Sequence, residues 1–178
     1  VAVSAALVLS SLVGPAAHAE QEKITNPKVA KPLNAAVGAA QAMRWEEAEK
    51  QLEAANAVEK KTPFEQSKIE EVLTYVLLQQ RKYPEAAKVI EERVNSGRVP
   101  AADMQAVLLQ LLRLNYQTKN FPKAAEFGDR WIKEGGSDPD PLALVGQAHY
   151  IQKNYAGTIP PMQDAIQGVI KAGKTPDE

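Results

Sequence analysis

Apolar residues recur along most of the chain at three- and four-residue intervals, and polar breaks interrupt them at regular distances. Ile69, Val72, Leu73, Val76 and Leu77 share one helical face before Gln79-Gln80-Arg81-Lys82 ends the run. Val89, Ile90 and Val94 resume it, and Gly97 supplies a stop. The plan then repeats. Val107, Leu108, Leu111, Leu112 and Leu114 give way to Gln117-Thr118-Lys119-Asn120, and Phe127, Trp131 and Ile132 follow up to Gly135-Gly136. Upstream, Leu33, Val37 and Ala40 precede Leu52, Ala55 and Val58; downstream, Leu142, Leu144, Val145 and Ile151 precede Met162, Ile166, Val169 and Ile170. Runs of β-branched residues at period two are missing. The pattern predicts an all-α chain of about eight helices, arranged as four antiparallel pairs.

The breaks share a signature. Trp45, Tyr83, Phe121 and Tyr155 follow them at separations of 38, 38 and 34 residues, with Ala48, Ala86 and Ala124 three residues later and Thr158 in the fourth copy. A fixed period of this size indicates stacked supersecondary units, none of which buries its apolar stripe alone. Pro84 and Pro122 fall where the second helix of a pair begins. A missing N–H does no harm in the first turn, and the fixed φ suits it. Tyr83 and Phe121 stand just ahead of those helices, placed to pack back across the hairpin. Pro160-Pro161 predicts a later start for the last helix, near residue 160 with Thr158 or Ile159 leading in.

The recurring positions resemble the tetratricopeptide repeat family over residues 29–174. That family places a small residue nine before the aromatic, Ala three after it, a large apolar residue seven after it and Ala ten after it. Ala36, Thr74 and Gly146 match the first, Leu52, Ile90 and Met162 the third, and Ala55 and Ala165 the fourth. Leu112, Thr158, Gly128, Arg93 and Trp131 depart from it. The resemblance implies a right-handed α-solenoid of about four stacked pairs. It makes Trp45, Ala48, Tyr83, Ala86, Phe121, Ala124, Gly146 and Tyr155 structural repeat positions.

Residues 1–19 stand apart, with no Lys, Arg, Asp or Glu before Glu20. An apolar run from Val1 to Val13, then Gly14-Pro15 and Ala17-His18-Ala19, reads as a secretory signal cleaved after Ala19 and lacking its basic start. The run is short for a membrane span. Residues 20–28 read as a linker. "KTPFE" at 61–65 carries a helix-start signature of Thr, Pro and Glu, and "KTPDE" at 174–178 repeats it, which predicts a further helix beginning there. The signal implies a periplasmic or secreted protein.

Net charge is −1 and no basic block of five occurs, so nothing recruits nucleic acid or an acidic membrane. Cysteine is absent, and His18 and His149 are the two histidines. Disulfides, thiolate chemistry and Cys-based zinc sites are therefore out. No nucleophile elbow, phosphate-cradling loop or H-E-x-x-H occurs. His149 reads as a satisfied, partly buried histidine. Ser67, Ser96 and Ser137 read as loop or cap residues, and Asp138 and Asp140 in "GGSDPDP" as a capped loop rather than a calcium site. The carboxylates at Glu46, Glu47, Glu49, Glu70, Glu71, Glu91 and Glu92 alternate with Lys and Arg, as solvated helix faces do. The expectation is a non-enzymatic protein without metal or cofactor.

The resemblance also implies which residues point into the concave surface: those eight, five and four before each aromatic. They are Val37, Ala40 and Gln41; Tyr75, Leu78 and Gln79; Arg113, Tyr116 and Gln117; and Gln147, Tyr150 and Ile151. Tyr75, Gln79, Arg113, Tyr116, Gln117, Gln147 and Tyr150 form the richest set for a protein or extended-peptide partner, since Tyr and Arg anchor interfaces and Gln bonds an extended backbone. Self-association of the repeats, or binding of envelope glycan, are the alternative expectations.

Overall fold

The structure is a computed structural model that describes residues 23–175. The signal-like stretch 1–19 and residues 176–178 of the second helix-start motif lie outside the described residues. Among the described residues eight α-helices follow one another: α1 (Pro27–Gln41), α2 (Trp45–Asn56), α3 (Pro63–Gln79), α4 (Tyr83–Asn95), α5 (Met104–Gln117), α6 (Phe121–Lys133), α7 (Pro139–Ile151) and α8 (Tyr155–Lys171). A single 3-10 turn, Ala101–Asp103, precedes α5, and no strand occurs among the described residues. The all-α expectation holds. α1 begins within the stretch read as linker, because Asn26 caps it by accepting from the Lys28 amide and Pro27 takes its first position.

One turn joins the two helices of every pair, and it recurs four times. Met43, Arg81, Lys119 and Lys153 sit two residues before the four aromatics with φ of 57°, 59°, 61° and 60°. The next amide closes a six-residue loop onto the preceding helix: Arg44 to Ala39, Lys82 to Leu77, Asn120 to Asn115 and Asn154 to His149. This is a Schellman closure, in which the left-handed residue is normally Gly. Here none of the four is. At the other ends of the pairs Gly97 and Gly135 fill the same role after α4 and α6, with φ of 69° and 90°. Trp45, Tyr83, Phe121 and Tyr155 are the first residues of α2, α4, α6 and α8, so Pro84 and Pro122 take the second position and the aromatic lies inside the helix, not ahead of it.

α8 does not wait for its prolines. It starts at Tyr155, because the Asn154 side chain accepts from the Gly157 amide at 3.1 Å and caps the helix there. Pro160 and Pro161 lie inside, and Pro161 is buried. The local cap outweighs two lost backbone hydrogen bonds one turn later.

Each helix packs against the next, and α1 also meets α3, as α5 meets α7. Ala48, Ala86 and Ala124 are fully buried where the helices of a pair approach. Gly128 stands where the family pattern wants a large residue because α7 comes close: a Cβ there would run into Val145. Gly146 on α7 likewise leaves room for Met162 of α8. The core divides into three clusters, the smallest being Leu112, Ala124, Ala125, Val145 and Ala148 of α5, α6 and α7. Val29, Leu33, Ala36, Ala39, Leu52, Ala55, Ile69 and Val76 fill α1 to α3. Ile90, Val94, Leu108, Leu111, Phe127, Trp131 and Leu142 fill α4 to α7, with Ala165 from α8. Trp131, one of the departures from the family pattern, is a central core residue.

Candidate functional site

The candidate residues lie on the odd-numbered helices. Tyr75 and Gln79 are exposed on α3, Arg113 and Gln117 on α5, and Gln147 and Tyr150 on α7; Tyr116 is half-buried. Tyr116 and Gln147 meet directly: the phenol donates to Gln147 Oε1 at 2.6 Å and ties α5 to α7. The ring of Tyr116 also stands edge-on to Phe121, with centroids 5.5 Å apart. Tyr150 does the same with Tyr155 at 5.9 Å, and Tyr75 with Trp45 at 6.4 Å. Each predicted tyrosine therefore leans on one of the four repeating aromatics. Edge-to-face pairs add about 0.5–1.5 kcal/mol and hold each ring in one orientation. Tyr75 and Tyr150 remain 49% and 62% exposed, so each offers a rigid ring face to solvent.

The set falls into two groups. Val37, Ala40 and Gln41 of α1 join Glu71, Val72 and Tyr75 of α3 around a mainly apolar depression. Ala40 belongs to its floor and is itself buried, not presented. Arg113, Tyr116, Gln117, Gln147 and Tyr150 belong to α5 and α7. Between the groups α3 and α5 do not approach within 8 Å at any pair of Cα atoms, whereas α1 and α3, and α5 and α7, do. Leu78, near the end of α3, is half-buried against the larger core. Arg113 borders an open hollow with Asp138 and Asp140 at the start of α7 and Val169, Ala172 and Lys174 at the end of α8. Its guanidinium thus sits in mixed charge, not in a basic clamp.

Several polar residues do more than the sequence suggested. Glu70 is buried, and Arg98 grips it with both Nε and a terminal nitrogen, at 3.0 and 2.7 Å, while Gln66 donates to it at 2.8 Å. Glu71 accepts from buried Arg93 at 3.1 Å and pairs with Lys68. Glu49 and Glu91 pair with Lys82 and Lys123, one helix pair further along. Glu46 makes no ion pair among the described residues; Glu47 pairs with Arg44. The acidic clusters are thus largely links between elements, not solvated faces. Ser67 lies inside α3 and is buried, its hydroxyl 3.4 Å from the Arg98 carbonyl, so it is no loop residue. Asp138 occupies the N-cap position of α7 without a side-chain cap bond. Sequence separations of 22 to 33 residues hid these pairings.

Glu65 is the strongest of these links. It completes a capping box with Thr62, whose amide it accepts at 2.9 Å, and it takes the Thr25 and Asn26 amides at 3.1 and 2.8 Å. These backbone donors, Thr62 and then Asn26 foremost, hold its carboxyl below the usual carboxylate range despite its burial. His149 is buried with both ring nitrogens engaged: Nε2 lies 3.0 Å from Asp129 Oδ1, and Nδ1 lies 3.0 Å from Asn154 Nδ2. Because Asn154 Oδ1 already accepts from Gly157, its amide NH2 faces the ring; Nδ1 is then the acceptor and Nε2–H the donor to Asp129. That histidine knits α6, α7 and α8 together. Among the described residues no three His, Asp or Glu side chains converge as a metal site would need. No helix among the described residues is long and apolar enough to cross a membrane.

No family model matches the chain, and no curated protein matches it.

Proposed function

We propose that this chain is a tetratricopeptide-type helical repeat protein, a right-handed solenoid of about four pairs. It binds another protein or an extended peptide across its odd-numbered helices. The repeat reading is supported by the turn at Met43, Arg81, Lys119 and Lys153, whose conformation recurs in all four pairs. The observation that carries the binding reading is the Tyr116–Gln147 bond with the edge-on tyrosines beside it. Rings already fixed by neighbours lose little freedom when a partner covers them, and preorganised aromatic anchors dominate interface energies. Binding proceeds by presentation of a rigid surface, without bond chemistry. The signal-like composition of residues 1–19 supports a periplasmic or secreted location. Replacing Arg113 and Tyr116 together by Ala tests the reading. Helicity by circular dichroism stays at the wild-type level while partner capture in intact cells is lost; capture at the wild-type level overturns it.

A further inference from the structure

One asparagine joins the start of α8 to α7. Asn154 Oδ1 accepts from the Gly157 amide at 3.1 Å, and Nδ2 of the same side chain lies 3.0 Å from His149 Nδ1. The first turn of α8 depends on this cap more than most helix starts do. In an α-helix each amide bonds the carbonyl four residues back. Pro160 and Pro161 have no amide, so the carbonyls of Ala156 and Gly157 go without that bond. Thr158 helps to hold the turn through its amide and its hydroxyl, both donated to the Asn154 carbonyl.

The cap in turn fixes which form of His149 the fold accepts. The ring is buried, and Nε2 lies 3.0 Å from Asp129 Oδ1. With Asn154 Oδ1 committed to Gly157, only a bare Nδ1 can face the asparagine NH2 group. A proton on Nδ1 sets two donors against each other 3.0 Å apart. The contact has no slack, since a Cβ on Gly157 would stand 2.7 Å from both His149 Nδ1 and Asn154 Nδ2. Turning the Asn154 amide over satisfies the charged ring, but it aims the NH2 group at the Gly157 amide and the cap is lost. An imidazolium at 149 and a capped α8 exclude each other.

The surroundings leave the ring able to charge. Asp129 meets it from α6 with a half-exposed side chain, ready to pair with the imidazolium. Glu126 and Lys133 stand one turn to either side of Asp129; Lys123 pairs with Glu91 and Glu126, and Arg130 stands over the Phe127 ring. From α8 the ring meets the uncharged Gly157, while Asp164 and Lys171 lie ten and seventeen residues beyond the cap. Lys153, in the turn, is exposed. We propose that His149 is a proton-operated catch: neutral, it locks the first turn of α8, and charged, it releases it. Tyr155, the first residue of α8, is the edge-on support of Tyr150, so release also frees a tyrosine of the α7 surface. The catch itself does not depend on the partner-binding reading.

NMR on the full 178-residue chain, titrated from about pH 8 to about pH 4, covers the span in which histidines change charge. The His149 ring is the histidine signal that survives in His18→Gln. In the wild type the Gly157 amide proton moves upfield in step with the ring, and its protection from solvent exchange falls about fivefold, as loss of one cap bond requires. Asn154→Asp uncouples the two, because a carboxylate accepts from the charged ring and from the Gly157 amide at once. There the ring titrates while the Gly157 amide keeps its shift and its protection. Asn154→Ser, which keeps a capping oxygen and sets no NH2 group against the ring, is uncoupled in the same way. A His149 ring that takes up no proton while the chain is folded, a wild-type Gly157 amide that ignores the ring's titration, or undiminished coupling in both variants each overturns the proposal.

Discussion

Helices α1 to α3 are held by small residues and charged clamps, while α4 to α8 are held by large rings and leucines. The first core rests on Ala36, Ala39, Ala48 and Ala55 with a few Leu, Ile and Val side chains, and Glu65 ties its first helix to its third. The second closes around Phe127 and Trp131, beside a smaller cluster of Leu112, Ala124, Ala125, Val145 and Ala148. Between them α3 and α5 stay apart, and the Glu70–Arg98 fork crosses from α3 to the loop after α4. The same hairpin unit is thus stabilised in two ways. Alanine packing brings backbones close but buries little area per residue, so the first region leans on hydrogen-bonded carboxylates. The second region buries larger side chains and adds the Glu91–Lys123 pair and the Asp129–His149 contact to them.

The largest expected effect is in the second core. Trp131→Ala lowers stability by about 3–5 kcal/mol, and hydrogen exchange places the loss in α4 to α8 while α1 to α3 keep most of their protection. Uniform loss over all eight helices would show that the two cores are one cooperative unit. Leu52→Ala in the first core follows at about 3 kcal/mol by urea melting, with the complementary exchange pattern. Glu70→Ala leaves Arg98 without its fork and costs about 2 kcal/mol, less than the roughly 3–5 of a fully buried pair because Arg98 reaches solvent. A change within about 0.5 kcal/mol would mean that the fork contributes nothing net.

The Glu65 effect is read against pH. Its folded-state pKa lies below the ordinary 4.5, so its contribution is fully present above that value and is lost as pH falls through the folded one. Melting the wild type and Glu65→Gln from neutral pH downwards, the gap between them is widest near neutrality and closes in acid. A constant gap contradicts the clamp. The smallest effect is a gain. Lys119→Gly, at φ 61°, relieves a left-handed strain of about 1 kcal/mol and raises the melting temperature; Lys119→Ala does not.

Much of this fold was legible. Apolar spacing marked the eight helices of the described residues, but Tyr83 and Phe121, read as standing just ahead of their helices, are the first residues of α4 and α6. The turn that makes the repeat was visible only as a polar break, since Arg81, Lys119 and Lys153 carry no left-handed signature of the kind Gly would. Pro160-Pro161 misled because proline preference is a local signal, and the Asn154 cap five residues earlier prevailed. Glu70 and Ser67 read as surface residues because their partner Arg98 lies 28 and 31 residues on. The repeat register singled out the tyrosines at 75, 116 and 150 as candidates; it held no signal for their edge-on support or for the separation of α3 from α5, which depend on packing between pairs.

The central claim is that the odd-numbered helices meet the partner. A photo-crosslinking amino acid placed singly at Tyr75, Gln117 or Tyr150, and at Glu53 or Glu92 on the even-numbered helices, is activated in intact cells and the adducts are identified by mass spectrometry. The account predicts one shared partner from the three odd-helix positions and none from the two controls. Adducts of equal yield from Glu53 and Glu92, or a partner reached from those positions alone, would contradict it.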